Sequence, residues 1–576
     1  MRIDEGMHAG GTDQPDWHGK NLSHEDRHDK YGWQKQLRAV VQSAFRIPHS
    51  VIVALTVLLV LSEVIYISLL RLDAINGVRP VLTFLAMMGA LFVFYGMAVW
   101  LISRPGRREH GALLVIAAGA VLFRLTLLPA GLPHDAGLNE IRAGLHSDVR
   151  GEAVAYERFL LFDNDLWRYL WDGHVWAHNV NPYAHAPLDP QLDELTDKGS
   201  AVWSDIRDNV NYGATPTIYP PLAQMLFRFS HWLAPGSVLV LKTLLAGCDL
   251  LAALFIALTL KTLGRPVALV ILYAWNPLVV KVYAGSGHAD ALLVAAVAAT
   301  VYFIVRGSRR AAAASFGLAV LAKLSPLVLL PFVVRRTGLR GAVLIFAVLL
   351  VGYLPFLDAG GTLFTGFLIY AREWTFNAGP YALFRWVAAM FSSEPFFVAR
   401  AMCGVIVLSL LGWLAWRDDG KTKSFARYGA TALGALIVFS PAVMPWYVTW
   451  TLPLALVADY RAWFYFSALI CLAFLVMIDG VELGPLARWV EYVALALVLW
   501  WDARRAQSSA TLSGFHQRSR PVLRTHSLSE LTLRSAQLHV GHTLRSHSSG
   551  GKGNGSHSVL RIVDNRRPAG DRALAG

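Results

Sequence analysis

Apolar stretches of about twenty residues recur along the chain and alternate with short polar segments. Clear examples are residues 51–70, 81–101, 112–130 and 238–260. Each stretch is long enough to cross the roughly 30 Å of hydrocarbon in a bilayer as an α-helix. The pattern predicts an all-α polytopic membrane protein with about twelve spans. It also predicts one large polar loop, residues 131–236, between the third and fourth spans.

Composition supports a bilayer as the solvent. Hydrophobic residues make up 55% of the chain and charged residues 16%, with a mean hydropathy of +0.44, whereas about 25% charged residues is usual in soluble domains. The formal net charge of +13 comes from short loops and the C-terminal tail, which argues against nucleic acid as a partner. The three cysteines lie in apolar runs without metal-ligand spacing, so no disulfide framework or zinc site is expected.

The distribution of Lys and Arg predicts the orientation of the chain. Basic short loops stay on the cytoplasmic side, and such loops occur at residues 104–108, 261–265, 306–310, 335–340 and 417–427. The large loop and residues 358–380 are then expected on the outer face. The polar N-terminus, residues 1–47, and the basic tail, residues 503–576, are expected in the cytoplasm. The tail is rich in Ser, His, Arg and Gly, which predicts disorder.

One apolar stretch, residues 311–334, has arginine pairs at both ends, which a single crossing would place on opposite faces. The tetrapeptide Lys323-Leu324-Ser325-Pro326 interrupts it, and proline disfavours helix at the preceding residue. We therefore predict a re-entrant pair of half-helices that turns at this tetrapeptide. No second break is evident in the sequence.

The large polar loop carries an acidic pair followed by an aromatic stretch. Asp163 and Asp165 precede Leu166-Trp167-Arg168-Tyr169-Leu170-Trp171-Asp172, which predicts an interfacial helix with carboxylates at its positive end. An ionised carboxylate there could act as a general base or help to hold a divalent cation. An isolated Asp-x-Asp is also typical of a simple helix N-cap.

Two further clusters lie at or below the same face. The turn from Gly285 to Asp290 carries His288, which is consistent either with a capped turn between spans or with a binding site. Lys323 lies near the middle of its apolar stretch, and an ionisable group inside the membrane is a functional candidate by default. As a point charge, this lysine suits a phosphate group at membrane depth.

Aromatic and polar side chains alternate in two more segments. These are Trp374 to Asn377 in an outer loop, and Trp446-Tyr447 at an outer helix end. Such segments are typical of an aromatic belt at headgroup depth or of a binding surface. Together with the preceding clusters they outline a polar, aromatic and partly basic cavity suited to a lipid phosphate with a polar headgroup.

These motifs resemble the C-type (GT-C) glycosyltransferase superfamily, polytopic enzymes that use polyprenyl-phosphate sugars. The order Asp163-Asn164-Asp165, Asp172, Asn181-Pro182-Tyr183 and Tyr219-Pro220-Pro221-Leu222-Ala223 is similar to the first-loop signature of the mannosyltransferases that add the first mannose to glycosylphosphatidylinositol anchors, and of their bacterial relatives. The similarity extends over residues 50–500.

The resemblance implies an inverting transfer of a hexose, with mannose the expected sugar, from a polyprenyl-phosphate donor to a lipid or glycan acceptor on the outer face. It implies that Asp165 or Asp163 is the general base. Arg168 could pair with Asp165 or meet the phosphate. The predicted substrate-binding residues are Arg168, Asp172, Tyr219, His288, Asp290, Lys323, Trp374, Asn377, Trp446 and Tyr447.

No cofactor is expected to be obligatory, because Arg and Lys can neutralise a single phosphate; a divalent cation remains an option. The expected partners are the sugar donor, the acceptor and membrane lipid. A rival interpretation is a secondary transporter or flippase of a lipid-linked sugar, which predicts paired helix breaks in both halves of the chain. A non-catalytic membrane subunit would not need carboxylates at the mouth of a cavity.

Overall fold

A computed structural model describes residues 49–72, 78–104, 110–131, 161–196, 202–478 and 484–518. The predictions for residues 1–47, for most of the tail and for part of the large loop therefore lie outside the described residues. The chain divides into two units at Arg505, and the site described below lies in the first.

The described part of the chain is helical, which confirms the all-α fold class. The α-helices are α1 (His49–Leu69), α2 (Val78–Ser103), α3 (His110–Leu127), α4 (Asp165–Ala177), α5 (Val202–Asp208), α6 (Pro221–Leu233), α7 (Val238–Thr262), α8 (Ile271–Ala274), α9 (Pro277–Val280), α10 (Asp290–Val305), α11 (Arg309–Ala322), α12 (Leu330–Tyr353), α13 (Thr365–Glu373), α14 (Pro380–Ala388), α15 (Pro395–Arg417), α16 (Thr422–Val438), α17 (Leu452–Ala458), α18 (Ala462–Leu469) and α19 (Gly484–Arg518). Within the described ranges, the only β-pairing is an isolated parallel bridge between Phe376 and Ala442.

Shorter helical segments join these helices. The 3₁₀ segments are Pro190–Leu195, Val267–Val270, Ser325–Leu329, Leu354–Thr362, Pro445–Thr451 and Ile470–Met477, and Lys281–Gly285 is a π-turn. Of these segments, Pro445–Thr451 carries side chains of the candidate site, and the π-turn precedes the turn that carries His288.

Five helical segments of the described chain are long and apolar enough to cross a bilayer. They are Val51–Leu69, Arg79–Ser103, Val238–Thr262, Ser325–Thr362 and Pro395–Arg417. A sixth is possible if the bent pair Val267–Ala274 and Pro277–Gly285 counts as one span. Large apolar side chains such as Phe346 and Leu408 face outward and are about two-thirds exposed, as hydrocarbon contact requires. The class of polytopic membrane protein is confirmed, but the count of about twelve spans is not.

The predicted break at the Lys323 tetrapeptide is present. Helix α11 ends at Ala322, Lys323 is extended, and a 3₁₀ turn starts at Ser325. Whether the two halves form a re-entrant pair stays a prediction. The expectation of a single break was wrong, because the chain also bends by 57° between Ala274 and Pro277. There Asn276 caps α9 by accepting the N–H groups of Leu278 and Val279, and Pro277 has no N–H to continue the preceding helix.

Helix α10 packs against both α7 and α11. Most residues of α10 are buried, including Asp290 at its first position. A charged group there must be paired, since burial of an isolated ion is costly. The beginning of α10 is therefore the place where the fold holds a polar site.

Candidate active site

Asp165 begins helix α4, as the sequence predicted. Its Oδ2 accepts a hydrogen bond from the Tyr219 hydroxyl at 3.1 Å and lies 3.2 Å from Nε2 of His288. Oδ1 of Asp163 accepts the backbone N–H of Asp165 at 3.2 Å. The Asp165 side chain is 28% exposed, so it is held by these hydrogen bonds and is still accessible.

His288 lies between two carboxylates. Its Nδ1 is 2.8 Å from Oδ2 of Asp290, and its Nε2 faces Asp165 and, at 3.4 Å, the Tyr169 hydroxyl. The ring packs on Trp446 with centroids 4.2 Å apart. The imidazole is 1% exposed, so its contacts are with these protein groups.

The turn that carries His288 requires glycine at position 287. Gly287 has φ +68°, and a Cβ there would lie 2.7 Å from side-chain carbons of both Leu166 and Lys242. This turn is thus pressed between α4 and α7, and it brings the imidazole to the start of α4. The ammonium of Lys242 is held by the carbonyls of Leu127 and Ala130, at 3.2 and 2.7 Å.

Asp290 extends the chain of charges. Lys323 Nζ lies 3.0 and 3.1 Å from its two carboxylate oxygens, and Trp450 Nε1 donates to Oδ1 at 2.5 Å. The ammonium also lies 4.8 Å from the ring centroids of Tyr447 and Trp450. Lys323 is 25% exposed whereas Asp290 is 2% exposed. The side chains of Asp165, His288, Asp290 and Lys323 therefore follow one another in space as a line of alternating charge, which we call the ionic line. The groups at its two ends, Asp165 and Lys323, are accessible.

The turn Pro445–Thr451 provides the aromatic wall. Trp446, Tyr447 and Trp450 all come from it, and the Tyr447 hydroxyl lies 2.5 Å from that of Tyr370 on α13. Both tyrosines thus border the ionic line described above.

Arg168 and Asp172 lie behind the site. Arg168 Nε donates to Asp172 at 2.8 Å instead of pairing with Asp165, because both side chains are one turn apart on α4 and buried. The second Asp172 oxygen accepts from Thr217 Oγ1 at 2.5 Å and Gln224 Nε2 at 3.0 Å. The Asp172 carboxylate therefore connects α4 to the segment that carries Tyr219, so its role is structural support of the site.

The Asn181-Pro182-Tyr183 motif has a similar framing role. Asn181 Nδ2 donates to Asp358 Oδ1 at 2.6 Å and to the Phe356 carbonyl at 3.1 Å. The Tyr183 hydroxyl donates to the Tyr219 carbonyl at 2.7 Å. The motif therefore fixes the position of the Tyr219 backbone and holds the large loop against residues 354–362.

Two predicted binding residues occupy other places. Asn377 has φ +46°, and its Nδ2 donates to buried Glu491 at 2.7 Å, away from the ionic line. Trp374 lies at the rim, where its ring is 4.1 Å from Tyr212 and 5.4 Å from Tyr370. The structure thus brings together Asp163, Asp165, Tyr219, His288, Asp290, Lys323, Trp446 and Tyr447, with Trp374 at the edge.

The sequence analysis missed Tyr169, Tyr370 and Trp450. Tyr169 could have been found, because it follows Asp165 by one helical turn and shares its face. Trp450 could also have been found, because it follows Trp446 by four residues, a spacing that places two side chains on the same side of an α-helix. Nothing local marks Tyr370, whose role depends on the approach of α13 to the Pro445–Thr451 turn.

The charges of the site act strongly on one another. Burial works to raise the pKa of Asp165, but the hydrogen bond and positive charge of His288 and the Tyr219 hydroxyl outweigh it and lower that pKa. Burial together with the neighbouring Asp165 raises the pKa of Asp163 to about 6. Burial would lower the pKa of His288, but Asp290 and the acidic pair raise it to about 9. At neutral pH Asp165 is a carboxylate and His288 an imidazolium.

The pH dependence should identify the base. If Asp165 is the base, we expect the rate of the catalysed reaction to stay level down to below pH 4, since its pKa is lowered, and to fall as pH rises through about 9, where His288 loses the proton it donates. An acidic limb near pH 6 would assign the role to Asp163. The measurement is kcat against pH for the purified protein. Asp163→Asn is the control, and in this variant the part of the pH profile that is due to Asp165 should remain.

A cation could be considered at the same place. Asp163, Asp165 and His288 offer ligand atoms within 4.8 Å of one another. A metal-binding imidazole needs an unprotonated nitrogen, and both nitrogens of His288 face carboxylates in the structure. The requirement for a cation stays a prediction.

The fold and the site define the class of the molecule: an all-helical membrane protein whose largest loop sets a carboxylate pair above a buried imidazole. Residues 159–338 match the family model described as Alpha-(1->6)-mannopyranosyltransferase, N-terminal domain. Over 330 residues the chain is 24% identical to Alpha-(1->6)-mannopyranosyltransferase A of Mycobacterium tuberculosis (strain ATCC 25618 / H37Rv). The alignment covers 51% of this chain and 61% of that relative, or about three-fifths of its length.

The matched region contains most of the candidate site, from Asp163 to Lys323. The turn Pro445–Thr451 and helix α13 lie beyond it. The chain is thus similar to a mannosyltransferase family over these residues, which confirms the resemblance noted in the sequence.

Proposed function

We propose that this protein is a membrane mannosyltransferase. It transfers a mannosyl residue, with inversion, from a polyprenyl-phosphate donor to a hydroxyl of a lipid or glycan acceptor on the outer face of the membrane. The observation that carries the proposal is Asp165, a partly exposed carboxylate at the end of a buried line of charge. The match of residues 159–338 to a mannosyltransferase family supports the sugar.

In the proposed reaction Asp165 is the general base. The acceptor oxygen forms a bond to the anomeric carbon, its proton passes to Asp165, and the bond between that carbon and the phosphate oxygen breaks with its electron pair on the phosphate. Tyr219 and His288 hold one oxygen of Asp165, which leaves the other for the acceptor. A positioned base of this kind contributes about 10²–10⁴ to the rate.

His288 and Asp290 are positioning residues in this proposal. They are 1% and 2% exposed, so they act through Asp165 and Lys323 and do not touch substrate. Asp290 fixes the orientation of the imidazole as the buried carboxylate does in a base that is oriented by a third group. The transfer needs no metal, since Lys323 supplies a positive charge for a single phosphate.

Lys323 is the proposed contact for the donor phosphate. We expect Lys323→Met to raise the KM for the donor about tenfold while kcat changes less, because the substitution removes a charge but keeps an apolar stem of similar length. The measurement is initial rate against donor concentration in detergent. Lys421→Met, which removes an 80% exposed lysine elsewhere, is the matched control. An unchanged donor KM would reduce Lys323 to a structural partner of Asp290.

A transporter or flippase of a lipid-linked sugar is the second candidate. The observation in its favour is the 57° bend between Ala274 and Pro277, which adds a second helix break to the one at Lys323. Broken helices are typical of substrate sites in transporters.

One experiment separates the two candidates. Purified protein is incubated with radiolabelled polyprenyl-phosphate sugars and a crude extract of membrane lipid and glycan, beside the Asp163→Asn/Asp165→Asn double variant. Transfer by the wild type that is lost in the double variant is the expected result, and the labelled donor that reacts names the sugar. Movement of labelled lipid across vesicles, without transfer and unaffected by the double substitution, would replace the enzyme with the transporter.

A further inference from the structure

An exposed aromatic pair lies at the rim of the candidate site. The ring centroids of Tyr212 and Trp374 are 4.1 Å apart, with the planes tilted by 51°. Tyr212 is 62% exposed, and Trp374 is half-buried. The two residues come from different parts of the chain, since Tyr212 belongs to the large loop and Trp374 follows α13. The pair therefore joins two segments at the surface.

Hydrogen bonds place this pair beside the catalytic groups. Asn211, next to Tyr212, pairs side chain to side chain with Asn164, whose Nδ2 lies 2.8 Å from Oδ1 of Asn211. Asn164 stands between the two aspartates of the acidic pair. On the other side Trp374 lies 5.4 Å from Tyr370, whose hydroxyl meets that of Tyr447. The aromatic pair is thus connected to the acidic pair through Asn211 and to the aromatic wall through Tyr370.

The backbone at Tyr212 is held in an unfavourable conformation. Its φ is +57°, in the left-handed region that a residue with a bulky side chain rarely adopts. The Thr215 N–H donates to the Tyr212 carbonyl at 2.9 Å, and the Leu188 N–H donates to the Gly213 carbonyl at 3.0 Å. The loop therefore fixes an exposed aromatic ring against an intrinsic conformational preference, and such positions concentrate at functional sites.

We propose that Tyr212 and Trp374 form a saccharide-binding subsite that holds the second sugar ring of an oligosaccharide acceptor while the terminal ring meets Asp165. The inference rests on the proposed function. An aromatic ring such as that of Trp374 or Tyr212 can pack on the apolar face of a sugar, and the Tyr212 hydroxyl can hydrogen-bond to its polar edge. Tyr212 follows Asn211, the partner of Asn164, and Trp374 contacts Tyr370. By contrast Trp232, a 74% exposed tryptophan on α6, stacks on Phe229 and is the better candidate for a headgroup anchor.

The test uses octyl glycosides with one, two or three α-1,6-linked mannose residues as acceptors. We expect the wild type to show a KM for the two-residue acceptor about tenfold below that for the one-residue acceptor, and little further gain with three. Tyr212→Ala and Trp374→Ala should each reduce this ratio to about two, and Tyr212→Phe should retain most of it because the ring remains. The measurement is the KM ratio within each variant, so a general loss of activity cannot imitate the result.

Trp232→Ala is the control, and it should keep the wild-type ratio. A wild type that transfers to all three acceptors with equal KM overturns the subsite but leaves the proposed function standing. A wild-type ratio that survives both Tyr212→Ala and Trp374→Ala has the same consequence. Absence of transfer to any acceptor, from any polyprenyl-phosphate sugar, counts against the proposed function itself.

Discussion

Asp165→Asn is expected to lower kcat about a thousandfold while changing the KM for the donor by less than about threefold. An asparagine has the shape of the aspartate and can still accept the Tyr219 hydroxyl, so the geometry at the start of α4 should survive. It cannot take a proton from the acceptor at neutral pH. The measurement is steady-state transfer from the polyprenyl-phosphate sugar that the transfer experiment names, with thermal stability recorded in parallel.

Asp163→Asn is the matched control for this substitution. Asp163 bonds the Asp165 N–H through Oδ1, a contact that the asparagine oxygen reproduces. We expect a loss of about tenfold or less. A thousandfold loss in Asp163→Asn beside a nearly active Asp165→Asn would transfer the role of base to Asp163.

Asp290→Asn should have the second-largest effect, on stability as well as on rate. The neutral side chain would leave the Lys323 ammonium and the His288 imidazolium without their shared counter-charge in a buried place. Removing one partner of a buried ion pair costs about 3–5 kcal/mol. We also expect kcat to fall about a hundredfold, since His288 would no longer hold Asp165 in one orientation. Thermal unfolding followed by tryptophan fluorescence, together with transfer rates, measures both.

Two further variants test whether the buried charges cause the loss of stability in Asp290→Asn. The double variant Asp290→Asn/Lys323→Met removes one of the uncompensated charges, so it should recover part of the stability lost in Asp290→Asn without recovering activity. Asp459→Asn removes a carboxylate that is 64% exposed and paired with Arg265, and a surface pair of this kind is worth only about 0–1 kcal/mol. If Asp290→Asn were no less stable than Asp459→Asn, the buried line of charge would not hold the site together.

The sequence was informative wherever a local pattern controls the structure. Proline predicted the break after Lys323, because a missing N–H and a restricted neighbour act within a few residues. The acidic pair predicted the start of a helix at Asp165, because the helix dipole acts over one turn. The same local logic could have predicted the break at Pro277 but was not applied to it.

Residue types alone did not predict pairing partners. Arg168 had a carboxylate three positions before it and another four positions after it, and only the structure shows that it pairs with Asp172, which is buried with it, and not with the partly exposed Asp165. Asn377 stood in an aromatic segment that looked like part of the cavity, yet it bonds Glu491, more than a hundred residues away. The path of α19 past this loop is a property of the assembled fold.

The sequence by itself determined the membrane environment, the fold class, the polar loop and the set of residues from which a site could be built. These features depend on hydropathy and on local backbone chemistry. Only the tertiary structure decided that Asp165, His288, Asp290 and Lys323 form one line, and that Tyr212 stands at its mouth. The contacts Asp165–His288 and Asp290–Lys323 join residues 123 and 33 positions apart. They arise because α10 packs against α7 and α11 while α4 packs against α6 and α7, and the charges that these helices carry can be buried only where they meet one another.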